Sequence, residues 1–294
     1  MTTPNPTLPN PELYIDHEAK NQPYTPPKAR FSLLVQSAHT LSDARGIAVY
    51  GFVHGKINRG EKVYIIDPQG NVYTAAVSAI KVEETKTVSS AKNQQVQLHI
   101  DHLNDNPAPG KLAVLSSHAP LSELSATTIP ANYYLKGLLN DYTLLHQDPY
   151  YVGILIYALC HAHYLVPVEV ANAPLNVQNV PENVAKSVNI TFLSLKNQEG
   201  TRSDFPLFTD MDAFSQWKKV LGVKTLPKTM TVKFSHIASF TAQNKDGLLI
   251  DPFGPMSFPM PYDFVQKITD LPEYKQEFAP GDEAEPPTED QSAK

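Results

Sequence analysis

From residue 31 onward, apolar and polar positions alternate in short runs that stop at glycine, proline or polar clusters. Residues 31–35, 46–53, 62–66 and 72–77 carry this two-residue period, and Asp67-Pro68-Gln69-Gly70-Asn71 reads as a hairpin turn between the last two. Residues 78–83, 95–100 and 111–116 continue the series with no room for a long helix. Many short strands joined by tight corners predict a small closed barrel. Gly46, Gly51, Gly55 and Gly60 stand at the strand ends and corners, where such a sheet must bend without a Cβ.

Beyond a Ser/Thr/Pro connector at 119–130 the period lengthens. Tyr133, Leu135, Leu138, Leu139, Tyr142 and Leu145 fall on helical spacings, Asp148-Pro149 interrupts them, and 150–163 predicts a second, strongly apolar helix. Residues 165–168 and 188–193 predict strands. Residues 205–210 predict a short strand whose end, Thr209 or Asp210, caps a helix over 211–221. A helix over 234–242, a buried strand over 247–250 leading into the turn Asp251-Pro252-Phe253-Gly254, and a helix from Pro261 to about 271 complete the pattern. The fold class is therefore multidomain, an all-β small closed barrel followed by an α+β domain. The expected divisions are a Pro-rich arm (1–29), the barrel (30–118), a linker (119–130), the α+β domain (131–275) and a tail (276–294). A length of 294 residues suits two cores better than one.

Composition sharpens the two ends. Seven prolines among Asn and Thr in 1–29 cannot bury enough surface to offset ordering entropy, so order is expected to begin near Phe31. The tail holds 6 acidic residues against 1 basic, nearly all of the chain's net charge of −6, and is expected to be disordered. The barrel segment is faintly basic, with 9 Lys and Arg against 7 acidic residues. Neither domain has the clustered Lys and Arg that neutralising many phosphates demands, so any nucleic-acid contact must be local. The single cysteine, Cys160, cannot close an internal disulfide, and the start shows neither a basic nor an apolar signal region; a cytoplasmic location is expected. The most apolar stretch, 150–159, is too short to span a membrane.

Two resemblances arise from the motifs. Phe31-x-x-Leu34-Val35, Arg45-Gly46-x-Ala48-x-x-Gly51-x-Val53-x-Gly55-x-Ile57-x-x-Gly60-Glu61-x-Val63, Ile80 and Pro109-Gly110-Lys111-Leu112 resemble the β-barrel second domain of translation GTPases such as elongation factor Tu, over about 31–117. Glu61 stands where that family usually has Asp. The resemblance implies a translation-protein type barrel and contacts with tRNA ends, ribosomal RNA or a nucleotide-binding domain. Leu165-Val166-Pro167, Phe205-Pro206-Leu207-Phe208-Thr209-Asp210, Trp217 and Leu249-Ile250-Asp251-Pro252-Phe253-Gly254 are similar to the N-terminal domain of SseB, the enhanced serine sensitivity protein, over about 130–275. Asp251 replaces a frequent Asn of that family.

The chemistry on offer points to binding. No G-x-x-x-x-G-K-[ST] loop is present to cradle phosphates, so GTP binding is not expected. No Gly-x-Ser-x-Gly elbow appears, and Cys160-His161-x-His163 lacks the further ligands a zinc site needs; an inert helix end is the better reading. No enzyme activity, cofactor or metal is expected. Candidate partner-binding residues are Phe205, Phe208, Phe253, Met256 and Phe258, which are packing if buried and a docking patch if exposed. Lys56, Arg59 and Lys62, with Tyr50, Phe52 and Tyr64, offer a small basic-aromatic platform for a single-stranded nucleic-acid end, against the plainer reading of a solvated strand face. The expectation is a non-enzymatic adaptor, translation-related, binding a protein partner with tRNA or the ribosome as a candidate and no membrane. The alternatives are a regulatory domain for a small metabolite, as the serine-sensitivity resemblance implies, and a hydrolase.

Overall fold

A computed structural model of the chain describes residues 14–15, 27–41, 46–83, 85–101, 103, 108–121, 129–171, 189–196, 203–254 and 256–278. The first strands are β1 (Tyr14–Ile15), β2 (Phe31–Leu34), β3 (Ser37–Thr40), β4 (Gly46–Asn58), β5 (Lys62–Ile66), β6 (Val72–Val82), β7 (Lys86–Val88), β8 (Ser90–Asp101) and β9 (Val114–Ser116). Strands β2, β9, β5, β6, β8 and β4 pair in that order, and β2 returns to pair with β4, so six antiparallel strands close into a barrel. Leu33, Val49, Val53, Ile57, Val63, Ile65, Ile80, Leu98 and Leu115 fill its interior.

The glycine signals act as bends more often than as ends. Strand β4 continues past Val53 to Asn58 through a register shift between Val53 and Lys56, and Gly55 sits in that shift at φ +95°. A Cβ there would collide with the Arg30 carbonyl. Likewise 72–77 and 78–83 are one strand, β6, with a register shift between Val77 and Ala79. A small barrel needs long strands that coil, and bulges supply the coil without breaking the ladder.

The mixed region comprises α1 (Tyr133–Asn140), α2 (Tyr142–Leu145), α3 (Pro149–His161), β10 (His163–Ala171), β11 (Asn189–Phe192), β12 (Leu195–Lys196), β13 (Ser203–Leu207), α4 (Met211–Leu221), β14 (Lys228–Lys233), α5 (Phe234–Asn244), β15 (Gly247–Ile250), β16 (Phe258–Met260), α6 (Tyr262–Thr269) and α7 (Pro272–Phe278). One sheet runs β1-β14-β10-β11 and another runs β12-β13-β15-β16, in which β13 and β15 are parallel. An antiparallel bridge between Leu165 and Phe208 joins them. Among the described residues no helix is long and apolar enough to cross a membrane.

Besides β3, β7, β12 and α7, which the sequence reading does not place, three elements depart from it. Strand β14 is new: its Thr229, Met230, Thr231 and Val232 are all buried, and the flanking lysines and neighbouring Pro227 disguise a β-branched run. Strand β16 gives the apolar 258–260 segment a ladder against β15. Strand β1 falls inside the Pro-rich arm, pairing Tyr14 with Met230 and Ile15 with Thr229. Helix α7 reaches Phe278, and residues 279–294 lie outside the described residues. The anticipated cap forms, Asp210 Oδ1 accepting from Ala213 N at 2.8 Å, and Asp148, read in the sequence as an interruption, caps α3 by accepting from Tyr150 N at 3.0 Å.

Helix α1 joins the two regions. One continuous apolar core runs from Leu34, Leu112 and Val114 on the barrel's outside through Leu135, Leu138 and Leu139 of α1 to Tyr151, Leu155 and Leu159 of α3. Gly137 allows this approach, because a Cβ there would stand 2.7 Å from both methyls of Val114. Polar contacts rim the seam: Asn140 Nδ2 donates to Ser32 Oγ at 3.1 Å and Lys111 Nζ to Asp148 Oδ2 at 2.7 Å.

Replacing Gly137 by Ala should cost about 1–2 kcal/mol in urea unfolding, despite a helix-propensity gain of about 1 kcal/mol. Combined with Val114→Ala, the double variant should be at least about 1 kcal/mol more stable than the two single losses would sum to. Simple additivity would show that helix and strand do not press on each other.

Candidate functional site

The parallel strands β13 and β15 end side by side, and the turns that leave their carboxyl ends both face the barrel. After β13, Thr209 and Asp210 lead into α4; after β15, Asp251 opens the turn to Gly254, whose N–H donates to the Asp251 carbonyl at 2.9 Å. Crevices at the carboxyl ends of parallel strands are recurrent ligand sites, because chain direction diverges there. Here the crevice is closed by the barrel, leaving a cavity of about 470 Å³. Its walls come from Arg30, Ser32, His54 and Gly55 on the barrel side and from Lys136, Asn140, Asp210, Asp251, Phe253 and Met256 on the other.

Asp251 is the most constrained of these groups. It is 7% exposed, it adopts φ +47°, and Thr209 grips both carboxylate oxygens, with N to Oδ1 at 2.9 Å and Oγ1 to Oδ2 at 2.6 Å. Burial pushes its pKa up to about 6, a rise that nearby Lys136 and the two Thr209 bonds only partly oppose. Lys136 Nζ lies 2.5 Å from Asp210 Oδ2, and the carboxylates of Asp210 and Asp251 outweigh the desolvation that would otherwise lower its pKa. Asn132 at the N-terminus of α1 donates to the carbonyls of His163 and Thr209 at 2.8 and 2.7 Å, fixing the helix to both sheets. Across the seam His54 Nε2 lies 3.2 Å from Oδ1 of Asp141, which is 1% exposed and whose Oδ2 has no hydrogen-bond partner among the described residues.

The sequence-identified residues divide by location. Phe205, Phe208 and Phe258 are buried in the core, Phe208 within an aromatic cluster with Phe214 and Trp217. Phe253 and Met256 are half-buried and line the cavity. Lys56, Arg59 and Lys62 are exposed on the barrel. Lys56 on β4 and Lys62 on β5 do not share a ladder; Arg59 lies in the turn between their strands, and Lys62 Nζ sits 4.9 Å from the Tyr64 ring centroid. Lys92, which sequence reasoning overlooks, stands directly opposite Lys56 across β4 and β8. Lys136 is also overlooked, although a single charge among Tyr133, Leu135, Leu138 and Leu139 is a visible signal. Among the described residues no three His, Cys, Asp or Glu side chains are grouped to hold a metal. His161 is engaged by the Tyr157 carbonyl and by Glu277.

Residues 135–267 match the family model for the SseB protein N-terminal domain, a little less than half of the chain. The motifs that meet at the cavity, Thr209-Asp210 and Asp251 to Gly254, lie inside that segment. Among solved structures, the selenomethionine variant of the C-terminal domain of a Geobacillus thermoleovorans putative U32 peptidase is similar at 16% identity, covering 29% of this chain and 95% of that one with a TM-score of 0.22. Among curated proteins nothing matches.

The raised pKa of Asp251 has a definite sign. The folded state holds this proton more tightly than the unfolded chain, so the stability it contributes is full below about pH 4 and is lost as pH rises through about 6. The stability of the protein minus that of Asp251→Asn should therefore fall by roughly 3 kcal/mol between about pH 4 and pH 7. Urea titrations at several pH values would measure it, and a difference that stays flat would show that Asp251 is not desolvated.

Proposed function

We propose that the protein is a non-enzymatic adaptor whose barrel docks on an anionic macromolecule, with tRNA or the ribosome as the translation-related candidate, while the α+β region binds a protein partner. The supporting observation is the pairing of Lys56 with Lys92. Directly opposed like charges on one sheet face cost up to about 1 kcal/mol, and neither lysine has an ion pair among the described residues. Arg59 lies in the turn that follows β4, Lys62 belongs to β5, which pairs with neither β4 nor β8, and Glu61 between them is occupied by Arg30 at 3.2 Å and by Asn58 N at 2.7 Å. A local cationic face of this kind suits a phosphate backbone more than a protein core.

A binding role also agrees with the state of the reactive groups. Burial, aided by Glu277, pushes the Cys160 thiol up to about 12, so it keeps its proton near neutrality and is a poor nucleophile. Asp210 is tied to Lys136, which leaves it a structural ion, and Asp212 pairs with Lys28 at the surface.

Fluorescence anisotropy with labelled tRNA, and co-sedimentation with ribosomes, would test the barrel contact. Charge reversal of both lysines (K56E with K92E) should weaken association at least about tenfold and lower the slope of log affinity against log salt by about 2. Absence of association by the unaltered protein at about 50 mM salt would remove the nucleic-acid partner from consideration.

A further inference from the structure

The junction cavity has the size of a small-molecule pocket, about 470 Å³ against roughly 300–1,000 Å³ for typical sites. Its charged lining is almost self-neutralised: Lys28 lies 3.2 Å from Asp212, Arg30 is committed to Glu61, and Lys136 to Asp210. Asp251 is the exception. Among the described residues it has no cation of its own and shares the field of Lys136 with Asp210.

The backbone makes that exception informative. At φ +47° Asn is at least as comfortable as Asp, and an Asn side-chain oxygen would accept the Thr209 N–H just as well without placing a charge in a buried site. Nothing in the local fold therefore requires a carboxylate at 251. The two Thr209 bonds aim it, but a hydroxyl and an amide do not neutralise it. Beside it, Leu139, Phe253 and Met256 present an apolar wall, with the flexible Met able to adapt to a bound group.

We propose that this cavity binds a small organic cation, an ammonium or guanidinium on an apolar body of a few carbons, with Asp251 as its counter-ion and Leu139, Phe253 and Met256 enclosing the body. A charge-assisted hydrogen bond to a carboxylate already held in place would supply both affinity and orientation. The site does not include the lysine pair on the barrel.

Calorimetry and thermal shift on the full chain, with butylamine, 2-phenylethylamine and agmatine as probes, test the assignment against the uncharged butanol and 2-phenylethanol and the anionic phenylacetate. At least one amine should bind saturably with one site per chain, about tenfold or more tighter than its uncharged or anionic counterpart. Asp251→Asn should erase that preference while leaving the weak binding of the alcohols unchanged. Met256→Trp, which fills the cavity without touching the carboxylate, should block all probes and serves if the Asn variant misfolds. The variant with K56E and K92E should bind the amine normally, which separates this site from the adaptor role. Equal affinity for amines, alcohols and phenylacetate, an unchanged preference in a folded Asp251→Asn protein, or no saturable amine binding would each overturn the proposal.

Discussion

The packing of α1 against the barrel is the constraint on which the rest of the structure depends. An eight-residue helix is too short to be stable by itself, so its existence rests on being gripped from both sides. Leu135, Leu138 and Leu139 join a core shared by both regions, and Gly137 lets the backbone settle onto Val114. Once the helix is fixed, its polar residues are fixed too. Asn132 ties its start to the carbonyls of His163 and Thr209, Lys136 reaches Asp210, and Asn140 reaches Ser32 on the barrel.

This arrangement places two buried carboxylates along α1. Asp141 comes directly after its last turn and meets His54 of the barrel; Asp251 lies near its middle and meets Thr209. Buried charges destabilise unless they are compensated, and each of these is compensated only in part, Asp141 with one oxygen lacking a hydrogen-bond partner among the described residues and Asp251 with a raised pKa. A seam built only for adhesion would be better served by apolar residues of the same volume. The two carboxylates are therefore not explained by cohesion of the seam alone.

Much of this fold is legible in the sequence, for identifiable reasons. The two-residue alternation of the barrel and the helical spacing of α1 come directly from burial on one face, α3 stands out by its continuous apolarity, and Asp210 marks the start of α4 by capping chemistry. Gly55 is conspicuous in the sequence but reads there as a strand end; only the closed sheet shows that β4 runs through it. Strand β14 escapes a local reading because Thr229 and Thr231 are buried by long-range pairing with β10, which no short window contains. The candidate site is legible in fragments. The motifs around Thr209 and Asp251 stand out singly, whereas their convergence depends on the parallel pairing of β13 with β15. Lys56 is visible as a cation, but its partner Lys92 becomes meaningful only through the register of β4 and β8.

That register also links the two surfaces. His54 and Gly55 line the cavity, and Lys56, the next residue, stands opposite Lys92 on the barrel's outer face. The Gly55 bulge lies between them, its N–H donating to Asn93 Oδ1 at 2.7 Å, one residue from Lys92. A macromolecule seated on the lysines would thus press on the same short segment that forms the cavity's barrel wall. If a cavity ligand and a docked partner both biased that segment, the effect of each on the other's affinity would by linkage be equal. Were both proposed sites occupied, a bulged strand serving the two would give a physical reason for this barrel and this α+β region to occupy one chain, where a flexible tether would suffice to hold two independent binders together.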